Sequence, residues 1–283
     1  MWKVVGVVLL LLLMGHAPRV GLAQRLVGNP MHPLTIPPVQ EVAPADHGTP
    51  SPVASARLAT TPTATPTPLP DKVLITAVPH GRQLQNLSCE SRSAVDLAAF
   101  WGVKIGEKAF FNALPKSDNP HKGFVGKVTA PPGSLPPLGY GVYAEPVAAT
   151  LQRFGLDARP RYRLGLDGLR AELAAGRPVL VWITYELRFY PTQTWVSRDG
   201  DTSAIVPYEH TGVVIGYQSA PATDQGVFVT DPWDGQIKFY PYDAFEASWS
   251  RFDQMAVTVR GRLPFARATV SAEGRWLRHY EPE

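Results

Sequence analysis

The chain contains a single cysteine, Cys89, and the residues around it favour a chemical role. An apolar set at helical spacing runs from Ala94 to Trp101 and stops before Gly102, so the sequence predicts a helix that begins at Cys89 with Ser88 as its N-cap. Free backbone N–H groups and the positive end of the helix dipole would favour the thiolate over the thiol. A thiolate attacks carbonyl carbons, which makes Cys89 a candidate nucleophile. The alternative is a small buried cysteine without a chemical role.

A cysteine hydrolase also needs an imidazole base and a group that orients that base. His210 stands just before an apolar strand pattern over residues 211–217, and Asp231 follows a second pattern over residues 227–230. A short polar loop joins the two, which favours an antiparallel hairpin. In such a hairpin the start of the first strand lies opposite the end of the second, so we expect His210 and Asp231 to be neighbours. The alternatives are an ordinary strand-edge histidine and a turn aspartate.

The transition state of acyl transfer further requires hydrogen-bond donors for the oxyanion. Gln83 lies six residues before Cys89 on the approach loop, and its side-chain amide would join the backbone N–H of Cys89 as donor. Gln85 is the competing donor. No cysteine pair and no His-x₃-His spacing is present, so we expect neither a metal nor a cofactor.

The elements that must position these side chains predict an α+β domain. Further helices are expected from Glu145-Pro146 to Gly155, from Asp167 to Gly176 and over 242–249. Further strands are expected over 72–78, over 179–185 as a central strand, over 237–240 and 255–259, and on either side of an Asp199-Gly200 turn. Residues 115–141 are rich in proline and glycine and predict a long irregular loop, a type that often lines a binding site.

The N-terminal part of the chain predicts export rather than a fold. Within residues 1–23 an apolar run follows Lys3 and ends in small residues, as in a signal peptide; an uncleaved membrane anchor is the alternative. Residues 24–70 are rich in proline and threonine and predict a disordered, extended linker. The folded domain is expected over 71–260, with a tail over 261–283. The sequence therefore predicts a secreted or surface-exposed protein.

The charge balance adds little about partners. The formal net charge of +3 falls to +1 if Lys3 and Arg19 leave with the signal peptide. Since no basic run or basic–aromatic patch is present, we expect no nucleic-acid partner. We expect a monomer that contacts the membrane only if the signal segment is retained.

Residues from about 73 to 259 resemble the C39-like peptidases of the papain-type cysteine protease superfamily, in particular its stand-alone, exported subgroup. The resemblance is carried by Gln83…Cys89-Glu90, Pro115-Lys-Ser117, Gly123-Phe-Val-Gly126, Gly139-Tyr-Gly-Val-Tyr143, Gly176-Arg-Pro-Val-Leu-Val-Trp182, Glu209-His210 and Asp231-Pro-Trp-Asp-Gly235. Ser88 replaces the glycine that often precedes this cysteine.

The resemblance implies a papain-like cysteine protease fold, in which an N-terminal helix carrying the nucleophile packs on an antiparallel sheet. It implies Cys89 as nucleophile, His210 as base, Asp231 as orienter and Gln83 as oxyanion donor. The implied function is an exported thiol peptidase acting on peptides or proteins. Two alternatives remain: a non-catalytic, surface-displayed peptide-binding module of the same fold, and another thiol acyltransferase or amidase acting on cell-wall peptides.

Overall fold

The computed structural model describes residues 68–220, 224–264, 269–270 and 276–277. The predicted signal peptide, the linker up to residue 67 and most of the tail lie outside the described residues. None of the helices in the described part combines the length and apolar character needed to span a bilayer.

The described part of the chain contains five α-helices, eleven strands and two short 3₁₀ helices (Tyr185–Leu187 and Ser250–Phe252). The helices are α1 (Cys89–Phe100), α2 (Glu107–Ala113), α3 (Ala144–Arg153), α4 (Gly165–Ala174) and α5 (Tyr242–Trp249). The strands are β1 (Lys72–Leu74), β2 (Leu156–Arg161), β3 (Val179–Thr184), β4 (Gln193–Val196), β5 (Thr202–Ile205), β6 (Glu209–Gln218), β7 (Gly226–Asp231), β8 (Gln236–Pro241), β9 (Ala256–Arg262), β10 (Thr269–Val270) and β11 (Trp276–Leu277).

A seven-stranded sheet forms the centre of the domain. Its order is β2-β9-β3-β6-β7-β8, and β1 pairs with the far end of β6. Neighbouring strands run antiparallel throughout. Strands β4 and β5 form a separate hairpin around the Asp199-Gly200 turn, as predicted.

Helices cover both faces of this sheet, which explains the unbroken apolar run of β3. Successive strand side chains point to opposite faces. Leu180 and Trp182 accordingly pack into a core shared with α1 and α3, whereas Val179 and Val181 pack into a second core with α4 and α5. Every residue of β3 is buried, so neither face of the strand carries exposed polar side chains.

Helix α1 is fixed against β6, the strand that carries His210. The hydroxyl groups of Ser93 and Thr211 lie 3.1 Å apart and tie the two elements together within the core. Ala94, Leu97 and Ala98 are fully buried on the same helix. The head of α1 is therefore held at the His210 end of β6.

The irregular region between α2 and α3 matches its prediction as a loop, and backbone hydrogen bonds hold it in place. Phe124 N–H donates to the carbonyl of Pro115, Val125 N–H to that of Gly141, and Lys127 N–H to that of Leu138. These bonds let a segment without regular structure form a fixed wall beside α1.

Candidate active site

Cys89 is the first residue of α1, as its sequence pattern predicts, but Ser88 does not cap the helix with its side chain. The Ser88 hydroxyl instead donates to Glu107 Oε1 at 2.7 Å and accepts from the backbone N–H of Gln85 at 3.0 Å. Ser88 therefore shapes the approach loop, and its side chain accepts no hydrogen bond from the N–H groups of the first turn of α1.

The approach loop is anchored to the turn that follows Asp231. The backbone N–H of Gln83 donates to the carbonyl of Pro232 at 2.7 Å, and His80 Nδ1 lies 2.6 Å from the carbonyl oxygen of Gly235. This contact brings the segment before the cysteine and the segment after the aspartate to one place, although they are far apart in sequence.

His210 and Asp231 are neighbours, as the hairpin prediction required. Strands β6 and β7 pair antiparallel, with Val213 opposite Thr230, and His210 Nε2 lies 2.7 Å from Asp231 Oδ1. Both side chains are buried. An ionised carboxylate only accepts hydrogen bonds, so the Nε2 proton of His210 is fixed toward Asp231 and Nδ1 is left as the basic nitrogen.

Asp231 is held ionised by three donors. Burial by itself would raise its pKa, but the hydrogen bonds from His210, from Lys238 Nζ at 2.6 Å and from the backbone N–H of Trp233 hold the pKa of this carboxyl well below its usual range. Lys238 also contacts Asp234 at 3.2 Å. Lys238 was not anticipated from the sequence. The β7–β8 register places Gln236 opposite Asp231, and Lys238 is on the same strand face two residues further along.

Cys89 and His210 border the same pocket. Aromatic and loop residues complete its lining: Asn86, Leu87, Pro132, Gly133, Tyr185, Tyr208, Glu209 and Trp233. The Tyr185 ring stands edge-on to both His210 and Trp233, with centroids 5.6 and 5.7 Å apart. A thiol and an imidazole–carboxylate pair therefore border one pocket whose walls are mainly apolar.

The sulfur of Cys89 lies in an environment that disfavours its charged form. Only 4% of the residue is exposed, and Sγ donates to Glu90 Oε2 at 3.3 Å. Burial, followed by the charges of Glu90 and Glu209, raises the pKa of the Cys89 thiol well above its ordinary value. The expectation of a resting thiolate is thus wrong for this arrangement, since burial and two acidic side chains outweigh the helix N-terminus.

Gln83 does not offer a free donor in this structure. Its Nε2 donates to the carbonyl oxygens of Gln85 at 2.7 Å and Asn86 at 2.9 Å, which occupies both amide protons. Gln83 Oε1 is buried and has no hydrogen-bond partner. Gln85 is exposed, and neither glutamine lines the pocket that Cys89 and His210 share. The backbone N–H of Cys89 can donate to an oxyanion without a change of conformation, because the first N–H groups of a helix have no intrahelical acceptor.

The carboxyls of Glu90 and Glu209 are, like Lys238, site residues to which the sequence analysis gave no role. With Cys89 they form a group of potential metal ligands whose donor atoms lie within 4.8 Å of one another, in the part of the chain that the structure describes. A signal was present in the sequence, since each glutamate adjoins a candidate catalytic residue, Cys89 on one side and His210 on the other.

Comparison with solved structures identifies the fold. A candidate C39-like peptidase from Bacillus anthracis matches with a TM-score of 0.59 and 24% identity, over 69% of this chain and 100% of the other. Xylellain, a cysteine protease from Xylella fastidiosa, matches with a TM-score of 0.40 and 13% identity, over 69% and 87% of the two chains. Neither a family model nor a curated protein sequence matches the chain.

The first of these structures supports the fold expected from the sequence resemblance. The described domain has the α+β architecture of the C39-like type of papain-like fold, with the cysteine helix packed on an antiparallel sheet. This agreement concerns the fold alone.

Proposed function

We propose that the chain is an exported thiol peptidase that hydrolyses peptide bonds through Cys89, His210 and Asp231. The observation that carries this proposal is the 2.7 Å contact between His210 Nε2 and Asp231 Oδ1 in the wall of the pocket that Cys89 borders. A histidine with a purely structural role does not need a buried, ionised carboxylate to fix the orientation of its ring. A histidine that acts as a general base does need one.

In the proposed reaction, Sγ of Cys89 attacks the carbonyl carbon of the scissile peptide while the thiol proton passes to Nδ1 of His210. The imidazolium is stabilised by Asp231 and then protonates the leaving amine. Water, activated by the same nitrogen, hydrolyses the thioester and restores the thiol. The oxyanion receives the backbone N–H of Cys89. Gln83 joins as second donor once one of its amide protons leaves the carbonyl of Gln85 or Asn86.

The test is digestion of a peptide library by the full chain. We expect cleavage by the wild type, its loss in Cys89→Ala and His210→Ala, and its retention in His121→Ala. His121 is a matched control because it also contacts a carboxylate, Glu145, at 3.2 Å, but lies outside the pocket. Full activity in Cys89→Ala would refute the proposal.

The oxyanion assignment has its own pair of variants. Removal of one oxyanion donor typically lowers turnover by about 10²–10³, so Gln83→Ala should lose activity in that range while exposed Gln85→Ala should not. Equal activity in the two variants would show that Gln83 is not an oxyanion donor and serves only in the structure of its loop.

One observation favours a second candidate, a surface-displayed module that binds peptides without cleaving them. The sulfur is buried and held by Glu90, and the amide protons of Gln83 are engaged within the loop. Binding of the peptide library by wild type and Cys89→Ala alike, without cleavage by either, would establish this function instead. For both functions we expect a peptide or protein to bind the pocket. The other alternative, a thiol acyltransferase or amidase that acts on cell-wall peptides, is distinguished by analysing the products of the reaction.

A further inference from the structure

Three side chains that can each bind a metal ion converge beside the pocket, and the proposed reaction gives two of them no role. Glu90 follows Cys89 on α1, and Glu209 is the first residue of β6; the two glutamates are 1% and 8% exposed. Sγ of Cys89 lies 3.3 Å from Glu90 Oε2. One sulfur or carboxylate oxygen from each of the three residues lies within 4.8 Å of the other two. A thiol and two carboxyl groups therefore face the same point.

The backbone at Gly141 allows the two carboxyl groups to meet. A Cβ atom placed on Gly141 would lie 2.4 Å from Glu90 Oε1 and 2.7 Å from Glu209 Oε2, so only glycine leaves room for both. Glu90 Oε1 accepts from the backbone N–H of Val142 at 2.6 Å, which fixes the orientation of this carboxyl group. Hydrogen bonds of this kind hold metal-binding carboxylates in position.

Glu209 contributes an oxygen atom that lacks a partner. Its Oε1 is buried and has no hydrogen-bond partner within the described part of the chain. The neighbouring polar groups are engaged elsewhere. His210 directs Nε2 to Asp231, and the hydroxyls of Tyr140 and Tyr143 bond to each other and to the backbone of β5 and of the residue after it. A buried carboxylate oxygen without a donor is costly, and a bound cation would remove that cost.

Lys116 is the positively charged side chain whose charge reaches Glu90. Its Nζ donates to the carbonyl oxygen of Phe111 at 3.2 Å and lies 3.4 Å from the centre of the Phe111 ring. The ammonium group therefore contacts α2 rather than either carboxyl group. A divalent cation between the sulfur and the two carboxylates would supply the direct contact that Lys116 does not make.

The set of ligand atoms selects the kind of ion. Mg²⁺ and Ca²⁺ take oxygen ligands, whereas a thiolate with two carboxylates suits Zn²⁺. Bonds of about 2.0–2.3 Å in a tetrahedral zinc site place the ligand atoms about 3.3–3.8 Å apart. Sγ and Glu90 Oε2 already have that separation. Glu209 lies within 4.8 Å of both residues, so its carboxylate needs to approach by no more than about 1.5 Å.

We propose that Cys89, Glu90 and Glu209 form a Zn²⁺ site and that a bound ion reversibly blocks the nucleophile. Cys89 and Glu209 both line the pocket, which gives the ion a route to the site. On binding, an S–Zn bond replaces the S–H bond of Cys89 and the proton passes to solvent. A sulfur bound to the ion is not available to attack a carbonyl carbon.

The blocking effect rests on the proposed function, whereas the site itself does not, and the reaction described above is that of the metal-free chain. The ligands come from two elements of the fold and include two carboxylates. The site therefore has none of the cysteine or histidine spacings that mark a zinc site in a sequence.

The experiment is titration of the chelator-treated full chain with Zn²⁺, in competition with a chromogenic zinc indicator, and with Co²⁺ as a spectroscopic substitute. Wild type should bind one more equivalent of Zn²⁺ than Cys89→Ala. Bound Co²⁺ should show a near-ultraviolet thiolate-to-metal charge-transfer band, which reports on Cys89 because this is the sole cysteine. Glu209→Gln keeps the size of the side chain and should lower the affinity at least about tenfold, since the loss of even an outer-shell partner costs about 10–100-fold.

Glu186→Gln is the matched control, since Glu186 is an exposed carboxylate next to Tyr185 of the pocket wall and its loss should leave the affinity unchanged. Thermal unfolding shows that each variant is folded under the conditions of the titration. Absence of the charge-transfer band in wild type, or equal affinity in wild type and Glu209→Gln, would overturn the site.

Peptide cleavage is measured separately. Zn²⁺ should inhibit cleavage by wild type at the concentration that fills the site, and a chelator should restore it. Full cleavage with the site filled would overturn the blocking role. Metal binding needs no peptidase activity, so an inactive chain with the charge-transfer band and the weaker binding of Glu209→Gln would refute the proposed function and retain the zinc site.

Discussion

The stability of the folded domain should fall as pH rises from about 5 to 8, and Glu90→Gln should remove much of that fall. The pKa of Glu90 is raised from its ordinary value to about 7 by burial. Between these two values the native chain keeps a proton that the unfolded chain has lost. Since stability falls with pH wherever the native state binds more protons, the contribution is complete below the unfolded pKa and lost as pH passes through the folded one.

The magnitude follows from the size of the shift. Glu90 moves from 4.5 to about 7, and each pKa unit corresponds to about 1.4 kcal/mol. Over the whole titration this shift amounts to about 3.5 kcal/mol. About 2 to 3 kcal/mol of it should be lost between pH 5 and pH 8, which is a large part of the roughly 5–15 kcal/mol that stabilises a typical domain. Asp231 works in the opposite sense, because its pKa is depressed, but its contribution is lost only in strong acid.

The assay is urea unfolding of the full chain followed by tryptophan fluorescence, at about pH 5 and about pH 8. Wild type should lose about 2 to 3 kcal/mol more than Glu90→Gln between these conditions. Glu186→Gln, which replaces an exposed carboxyl outside the core, is the control and should behave as wild type. If wild type and Glu90→Gln show the same change with pH, the buried carboxyl does not hold its proton and the reasoning fails.

Two further variants test the supports of the site. Lys238→Met should lower kcat/KM for peptide cleavage about tenfold, because Asp231 loses a charged donor from a partly exposed pair. Lys238→Arg should retain most of the wild-type kcat/KM. An unchanged kcat/KM in Lys238→Met would count against this role of Lys238. Gly141→Ala should lower the free energy of unfolding by about 2–4 kcal/mol, because the new Cβ would collide with Glu90. Gly102→Ala, also at positive φ but with open space, is the control for thermal unfolding; an equal loss in both variants would show that backbone strain alone is responsible.

The pairing of His210 with Asp231 was predictable because it depends on local pattern and strand geometry alone. Two apolar runs joined by a short polar loop leave few options other than a hairpin, and the hairpin fixes which ends meet. The helix at Cys89 and helix α5 follow from helical periodicity, and the central strand β3 follows from its continuous apolar, β-branched run. Each of these elements lies where its pattern indicated.

Helix α2 and strand β2 were not predicted, and each has a physical reason. Helix α2 is seven residues long, too short for the 3.6-residue period to show. Strand β2 buries only its first residues and exposes Pro160 and Arg161, so it lacks both alternation and a continuous apolar run. Strand β2 can carry that proline because it lies at the edge of the sheet.

The protonation state of Cys89 could not be predicted from the chain near it. The helix N-terminus favours the thiolate, and that effect depends only on residues near Cys89 in sequence. Burial and the charges of Glu90 and Glu209 raise the pKa of the thiol, and Glu209 reaches the sulfur only because β6 packs on α1. Likewise the amide protons of Gln83 turn back onto carbonyls of their own loop, which depends on a loop conformation set by contacts to Pro232.

In the proposed site, the surroundings of His210 favour a positive charge on the imidazole, whereas the surroundings of Cys89 disfavour a negative charge on the sulfur. This difference bears on when the thiol proton moves to His210. On the imidazole side, Lys238 and His210 keep Asp231 ionised, so a positive charge on His210 is stabilised whenever it forms. On the sulfur side, Glu90 and Glu209 oppose the thiolate. A thiolate–imidazolium pair in the resting site would place a negative charge on the sulfur beside these two carboxyls. If the thiol proton is instead transferred to His210 during the attack, the negative charge passes to the carbonyl oxygen of the substrate and away from the two carboxyls.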